Sequence, residues 1–192
     1  MGATINTPAN LVVGAGNAYK DGADIGVTAD ANVFRIEEKR YEPDNLNGLP
    51  GMLVGTMYVT DSDGVLDIGA PELTADRLAD QWPGSRATID GAQTTIDRDG
   101  NERRVPLSAY ADWKLRVKGL TRIYGFELDN AINVGNPEFS MDNGKIALPR
   151  MELHSRWSAP AAPGSGEDPE DVDYPSPHRI TYTSLVGSGS GA

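Results

Sequence analysis

Apolar and polar residues alternate along several short segments of the chain. The clearest is 111–118, where every odd position is apolar and every even position is charged. A period of two residues is typical of a β-strand that buries one face. Similar but weaker patterns predict further strands at 10–13, 17–21, 32–41, 52–60, 87–97, 102–108, 124–128, 132–140, 150–157 and 178–185. Short strands at this spacing favour antiparallel sheets packed as a sandwich or barrel.

Turn-forming pairs separate the predicted strands. Asp-Gly and Asn-Gly pairs tolerate the positive φ angles of tight hairpins, and they occur at 21–22, 63–64, 90–91, 99–100 and 143–144. One segment predicts a helix, because Thr74 can cap its start, Leu78 and Trp82 lie on one face, and Pro83-Gly84 ends it. The predicted fold is therefore mainly β: an antiparallel β-sandwich or barrel flanked by one short α-helix.

The length of 192 residues predicts a single domain over 1–192. Two segments of this domain differ in composition from the rest. The 42–60 segment carries more apolar side chains than a solvated loop, so we predict an assembly loop that contacts a neighbouring subunit. Its interface candidates are Leu49, Met52, Leu53, Met57 and Tyr58. The 158–177 segment, rich in Pro, Gly, Ser and acid, cannot build a core and is predicted to be an extended arm. Residues 187–192, GSGSGA, predict a flexible end.

The charge of the chain limits its partners. The net charge is −11, and most of the excess acid lies in 61–80 and 158–176. An acidic chain repels phosphate backbones, which disfavours a conventional nucleic-acid-binding role. No apolar run approaches the length of a membrane span, and the first residues lack the features of a signal peptide, so no membrane-spanning segment is predicted.

The sequence offers little catalytic or metal-binding chemistry. With no cysteine and only His154 and His178, thiolate and multi-histidine metal sites are not expected. The glycines of 14–22 fail the dinucleotide pattern, and the acids of 61–72 fail the calcium-loop pattern. We therefore predict no catalytic residue, no cofactor and no metal, and a protein that is not an enzyme.

The order of these features is itself informative. A short strand at 10–14 precedes a DG-x-x-x-G hairpin at 17–26, a long strand at 32–40, a strand at 55–60 and an E-L-T-x-x-x-L helix at 71–84. This layout resembles the tail tube (major tail) proteins of long-tailed bacteriophages of the siphophage type. The resemblance continues through the later segments 130–140, 144–157 and 179–184, while the acidic insert at 158–177 departs from it.

The resemblance implies a structural virion protein. In that family, six copies close a ring whose inner sheets join into a β-lined channel, and the rings stack into a tube that delivers DNA to the host. The implied partners are further copies of the same chain, a tape-measure protein, and tail terminator and baseplate proteins. The implied location is the virion tail, assembled in the host cytoplasm, and DNA passes through without specific binding.

A channel that conducts DNA is expected to present acid to it. The acidic candidates for the lumen are Glu37, Glu127, Asp129 and Glu138. The strand at 111–118 carries Lys114, Arg116 and Lys118, which would grip DNA, so we expect it to face neighbours or the exterior.

Two alternatives stay open. The inner tube of a contractile tail or of a related secretion machine shares the same fold. A monomeric β-sandwich binding module is a different class, for which Trp82, Trp113 and Trp157 could supply a ligand platform. The positions of the three tryptophans in the apolar patterns favour core packing instead.

Overall fold

The strands account for most of the described residues. The computed structural model describes residues 11–13, 15–28, 32–41, 57–69, 74, 79–98, 104–119, 122–135, 141–142, 145–146, 150–158 and 175–184. Within these ranges the strands are β1 (Leu11–Val13), β2 (Asn17–Lys20), β3 (Ala23–Val27), β4 (Asn32–Tyr41), β5 (Tyr58–Gly69), β6 (Arg86–Asp90), β7 (Gln93–Asp97), β8 (Ala111–Lys118), β9 (Arg122–Asn133), β10 (Met141–Asp142), β11 (Lys145–Ile146), β12 (Arg150–His154) and β13 (His178–Ser184). The fold is mainly β, as predicted.

Strand β9 connects the two parts of the main sheet, because it pairs with strands of both. The strand order is β1-β4-β5-β12-β9-β8-β2-β3, with β13 also paired to β9, and every pair is antiparallel. On one side β9 pairs with β8, and on the other its 122–128 part pairs with β13 while Ile132 and Asn133 pair with β12. We call β1, β4, β5 and β12 layer 1, and β2, β3, β8, β9 and β13 layer 2. The pairs β6–β7 and β10–β11 form two separate ribbons.

The core lies between the two layers. The alternation in β8 turns Trp113 and Leu115 inward, and both are buried. Phe34 of layer 1 packs on Phe126 of layer 2, with ring centroids 5.1 Å apart. Each such side chain contributes about 1.5–3 kcal/mol of burial free energy. The other members of the cluster are Ala18, Ile25, Leu66, Ile68, Ala111, Leu128, Ala131, Met151 and Leu153.

Several strand predictions match closely, and others fail wholly or in part. The strand predicted at 87–97 is two strands, β6 and β7, and the one predicted at 52–60 shares only 58–60 with β5. Strands β4 and β8 have the predicted bounds, and β13 ends one residue early. The strand predicted at 102–108 is wrong over its described part, because 104–106 is irregular and a 3-10 turn spans Leu107–Ala109. Pro106 precedes that turn, and its lack of an N–H group removes a donor that a strand would need.

Two of the predicted turns are confirmed. Asp21 and Gly22 have φ angles of 49° and 80° and connect β2 to β3, while Gly91, with φ 59°, lies in the turn between β6 and β7. The predicted turn at 63–64 is wrong, because both residues lie inside β5. The remaining pairs, at 99–100 and 143–144, lie outside the described residues.

Gly64 serves a close approach between strands instead of a turn. A Cβ atom at this position would lie 2.4 Å from the Cβ of His178 and 2.8 Å from a methyl group of Leu128. The Gly64 N–H donates to Ser155 Oγ at 2.9 Å, and the Ser155 N–H donates to the Gly64 carbonyl at 2.8 Å. Glycine is therefore required because the His178 and Leu128 side chains of layer 2 pack directly on the backbone of β5 here.

The tryptophan prediction holds for one residue of three. Trp113 is buried as expected, whereas Trp82 and Trp157 are 40% and 46% exposed, which corrects the expectation of core packing. Trp82 follows the helical turn at 79–81, and Trp157 lies beyond the end of β12. Neither side chain is held on the inward face of a strand. The predicted helix is seen only at 79–81, since 75–78 lie outside the described residues.

The two composition-biased segments are described only in part. Residues 58–60 of the predicted assembly loop belong to β5, and 42–56 lie outside the described residues, as do 159–174 and 187–192. The residues at both ends of the acidic segment are fastened to β9. Asn130 Nδ2 donates to Ser158 Oγ at 2.6 Å, and the Asp129 N–H donates to the Pro177 carbonyl at 2.7 Å.

Replacing Gly64 with Val should lower the free energy of unfolding by about 3 kcal/mol, because the added methyl groups would force β5 away from His178 and Leu128. Urea denaturation measures the change. Thr88→Val is the control, since Thr88 is an exposed strand residue where valine should change stability by no more than about 0.5 kcal/mol. Equal effects of the two substitutions would show that the close approach at Gly64 is not a constraint on the fold.

Candidate assembly surfaces

The β4–β5 hairpin extends beyond the strands on either side of it. Strand β1 pairs with β4 only at 32–34, and β12 pairs with β5 only at 65–69. Residues 35–41 and 58–64 are therefore paired only with each other among the described strands. We call the outer part of this extension, residues 38–41 and 57–61, the arm. A two-stranded ribbon is marginally stable in isolation, so its apolar side chains are available for a partner.

The arm exposes large apolar side chains. Tyr41, Met57 and Val59 are between 48% and 57% exposed. One ion pair crosses between its strands, from Lys39 to Asp61 at 2.9 Å, and another lies along β4, from Arg40 to Glu38 at 2.6 Å. Of the predicted interface residues, Met57 is exposed, and Tyr58 lies in β5 without a described side chain. The other three, Leu49, Met52 and Leu53, lie outside the described residues.

A chain of charged groups covers the outer face of layer 1. Arg35 donates to Glu37 at 2.7 Å and to Glu152 at 2.5 Å, so it links β4 to β12 across β5. His154 Nδ1 lies 2.6 Å from Asp63 Oδ2, and Arg156 Nη1 donates to the same oxygen at 3.2 Å. The charged groups thus tie together three neighbouring strands on this outer face.

Val65 lies on the same outer face and is nevertheless fully buried. Its cross-strand partners are Arg35 on β4 and His154 on β12, whose side chains share that face. Long charged side chains can bury their apolar stems while their charged ends stay in water. The network of Arg35 and His154 therefore shields an apolar residue on the side of the sheet away from the core.

The His154–Asp63 pair shifts the pKa of both groups. A hydrogen bond from His154 to Asp63 is the main reason that the pKa of His154 lies above its ordinary value of 6.5, although partial burial opposes the shift. Burial alone would raise the pKa of Asp63, but hydrogen bonds and charges from His154 and Arg156 hold it below its ordinary value. The geometry therefore favours the charged form of both partners.

The pKa of the second histidine, His178, is shifted in the opposite direction. His178 lies at the inner side of β13, where Ser62 Oγ is 3.2 Å from Nε2 and Ser155 Oγ is 3.5 Å from Nδ1. Burial lowers the pKa of His178 below 6.5, and the more distant charges of Asp63, Glu38 and Asp129 only partly offset this. His178 is therefore held neutral while it packs against Gly64.

The outer face of layer 2 carries basic and acidic residues side by side. Glu127 accepts hydrogen bonds from Lys114 and from Arg179, and Arg179 also donates to Asp129 at 2.9 Å. Burial would raise the pKa of Glu127, but the two donors hold it below its ordinary value. A shallow hollow of about 330 Å³ opens on this face. Arg116 borders the hollow with its guanidinium 5.9 Å from the ring centre of Tyr19.

This placement makes two sequence predictions exclude each other. Glu127 and Asp129 were expected to line a lumen from which Lys114 and Arg116 are turned away, yet all four lie on one face. Lys114 and Glu127 are direct cross-strand partners, so the predicted separation is wrong. Glu37 lies apart, on the outer face of layer 1, and Glu138 lies outside the described residues.

Sequence reasoning also missed the His154–Asp63 pair. Asp63 was assigned to a turn, and His154 was considered only as a possible metal ligand. The available signal was the alternation of Asp61, Asp63 and Asp67 along β5, which places all three on one side of a strand.

The described part of the chain offers neither a metal site nor a membrane-spanning helix. It holds no group of three or more His, Cys, Asp or Glu side chains arranged to bind a metal ion. It also contains no helix of the length and apolarity that a membrane span requires. No protein-family model, curated protein or solved structure matches the chain. The arm and the two charged outer faces are therefore the features of the described residues that bear on function.

The two histidines predict opposite pH dependences for their substitutions. A raised pKa means that His154 contributes stability fully below 6.5 and loses it as the pH rises through the folded-state value. A lowered pKa means that His178 contributes stability above 6.5 and loses it as the pH falls. His154→Gln should therefore cost more free energy of unfolding at about pH 5 than at about pH 9, and His178→Gln the reverse. Urea denaturation at both pH values measures the costs. Costs that do not change with pH would contradict the assigned charge states.

Proposed function

We propose that this chain is the tail tube protein of a long-tailed bacteriophage, a structural subunit whose hexameric rings stack into the channel for DNA delivery. The observation that carries the proposal is the arm, where Tyr41, Met57 and Val59 are exposed on strands that run past their neighbours in the sheet. Exposed apolar side chains on a projecting element are typical of a surface that another subunit covers. The mainly-β antiparallel fold and the feature order along the sequence support the same conclusion.

Sheet edges give a second reason to propose self-assembly. Among the described strands, β1 and β3 end the main sheet and β13 has β9 as its hydrogen-bonded neighbour. Free edges are templates for pairing with another chain, and a closed ring removes them. One heterologous contact that closes by rotation makes a ring, and a repeated axial contact makes a tube. The arm is suited to the axial contact, because it reaches beyond the body of the sheet.

The charges favour layer 1 as the wall of the channel. Its outer face presents five carboxylates, Glu37, Asp61, Asp63, Asp67 and Glu152, against the cations Arg35, Lys39, Arg150 and Arg156 and the titratable His154. The outer face of layer 2 presents Lys114, Arg116, Lys118 and Arg179 against an equal number of carboxylates, Asp24, Asp112, Glu127 and Asp129. Once His154 has lost its proton, repeating the layer 1 face six times gives a wall with excess acid, along which DNA slides without binding. Of the predicted lumen residues, this arrangement keeps Glu37.

The proposed partners and location follow from the tail tube assignment. They are neighbouring copies of the chain, a tape-measure protein inside the tube, and terminator and baseplate proteins at its ends, in a virion assembled in the host cytoplasm. The inner tube of a contractile tail or secretion machine has the same architecture and stays the nearest alternative. In this proposal the chain performs no catalysis and needs no cofactor.

A monomeric binding module is the second candidate, and one observation favours it. Trp82 and Trp157 are partly exposed instead of buried, so they could form part of a ligand platform. The two candidates differ in their state of association. Negative-stain imaging of the purified protein distinguishes them, because rings or tubes support the tail tube and dispersed monomers support the binding module.

An acidic residue on the arm should block assembly without unfolding the subunit. Val59→Asp places a charge among the exposed apolar side chains of the arm, and desolvating that charge in an interface is costly. Imaging should show tubes for the wild type and none for this variant, while its urea denaturation midpoint stays close to that of the wild type. Leu107→Asp is the matched control, since Leu107 is strongly exposed on the 3-10 turn, outside the arm. Tubes formed by Val59→Asp as readily as by the control would contradict the role of the arm.

A further inference from the structure

Two cations on the outer face of layer 2 lie apart from the ion pairs of that face. Arg116 and Lys118 are two positions apart on β8, so they share a face, and both are exposed. The ion pairs found there among the described residues join Lys114 and Arg179 to carboxylates of β9, and none of them includes Arg116 or Lys118. Two neighbouring positive charges repel each other, so an anion from outside the subunit would be bound favourably beside them.

A shallow hollow of about 360 Å³ opens next to these two cations. Arg116 and Lys118 line it together with Asn17 and Tyr19 of β2, and the described residues contribute no carboxylate to its lining. The hollow of about 330 Å³ on the same face differs, because three carboxylates line it alongside its three cations. A concave surface lined by charge of one sign raises the local concentration of counter-ions. The first hollow therefore favours an anion.

The side chains around this hollow are placed to donate hydrogen bonds to an anion. Arg116 and Asn17 are cross-strand partners, so their side chains share the outer face. The Arg116 guanidinium lies over the ring of Tyr19, 5.9 Å from its centre. An aromatic ring that contacts the face of a guanidinium leaves the N–H groups at its edge available to a ligand. Asn17 adds a neutral amide donor, and Lys118 adds a compact positive charge.

One carboxylate of β3 lies on the same face without neutralising the hollow. Asp24 is the cross-strand partner of Tyr19, which places it on the outer face of layer 2. Its Oδ1 accepts a hydrogen bond from the Gly26 N–H at 2.9 Å, and Asp24 does not line the hollow. Within the described part of the chain, the positive charge of Arg116 and Lys118 is therefore left for a ligand.

We propose that the hollow formed by Asn17, Tyr19, Arg116 and Lys118 is a binding site for a phosphate group, either free phosphate or a phosphate monoester. Charge selects this class of ligand. A phosphate monoester carries about −1.5 to −2 charge at pH 7, which matches two cations. A carboxylate or a phosphodiester carries a single negative charge and would leave one cation uncompensated. The planar guanidinium can bind two phosphate oxygens at once, and an ammonium group binds phosphate as a point charge.

The site does not depend on the proposed tail tube, because all of its residues belong to one subunit. It lies on the outer face of layer 2, whereas the proposed channel wall is the outer face of layer 1. Phosphate binding and tube formation can therefore succeed or fail separately.

Titration of the purified protein with inorganic phosphate and with glycerol phosphate tests the site. Binding is followed by the broadening of the phosphorus NMR signal of each ligand. Arg116→Gln and Lys118→Gln should each weaken binding by about tenfold, because each removes a hydrogen bond to a charged group. Whichever of the two ligands binds more tightly identifies the source of the phosphate group. Dimethyl phosphate, a diester with a single negative charge, should cause little broadening.

Arg86→Gln is the matched control, because it also removes one exposed positive charge but lies on the separate β6–β7 ribbon. This variant should bind both ligands as the wild type does, and Lys118→Arg should retain binding. Urea denaturation of each variant confirms that it folds, which is expected because the substituted residues are exposed. No binding by the wild type, or equal binding by Arg116→Gln, Lys118→Gln and Arg86→Gln, would overturn the site. Equal binding of the diester and the monoester would overturn the choice of ligand class.

Discussion

The fold depends on the pairing of β9 with strands of both layers. Its last residues, Ile132 and Asn133, pair with β12 of layer 1, and the rest of the strand pairs with β8 and β13. This sharing holds the layers at the spacing that lets Phe34 pack on Phe126. The layers approach most closely at Gly64, where any side chain would collide with His178. The arm is the part of layer 1 that extends past this contact.

Much of the fold could be predicted from the sequence, because strand alternation is a local property. The pattern of 111–118 correctly placed Trp113 and Leu115 in the core, and β4 has its predicted bounds. The failures occur where a distant part of the chain overrides a local preference. Asp63-Gly64 has the composition of a turn, but its glycine is required by His178, which is 114 positions later in the chain. The turn or strand propensity of a segment gives no information about a contact with a residue so distant in the sequence.

The candidate surfaces could be predicted less well, since they depend on register. Lys114 and Glu127 were assigned to different faces of the protein, but pairing between β8 and β9 makes them neighbours. A shift of one residue in that register would have separated them, and a single sequence does not specify it. The His154–Asp63 pair was missed for a related reason, because 91 positions separate its members. Of the apolar residues exposed on the arm, only Met57 was among the interface candidates, because composition does not say whether an apolar side chain is buried or exposed.

A reconstruction of the assembled particle by cryo-electron microscopy tests the central claim most directly. The account predicts a closed ring of subunits, with the outer face of layer 1, including Glu37 and Glu152, lining a channel wide enough for DNA. It also predicts that Lys114 and Arg116 on layer 2 point away from that channel. A particle without a channel, or a channel lined by Lys114 and Arg116, would contradict it.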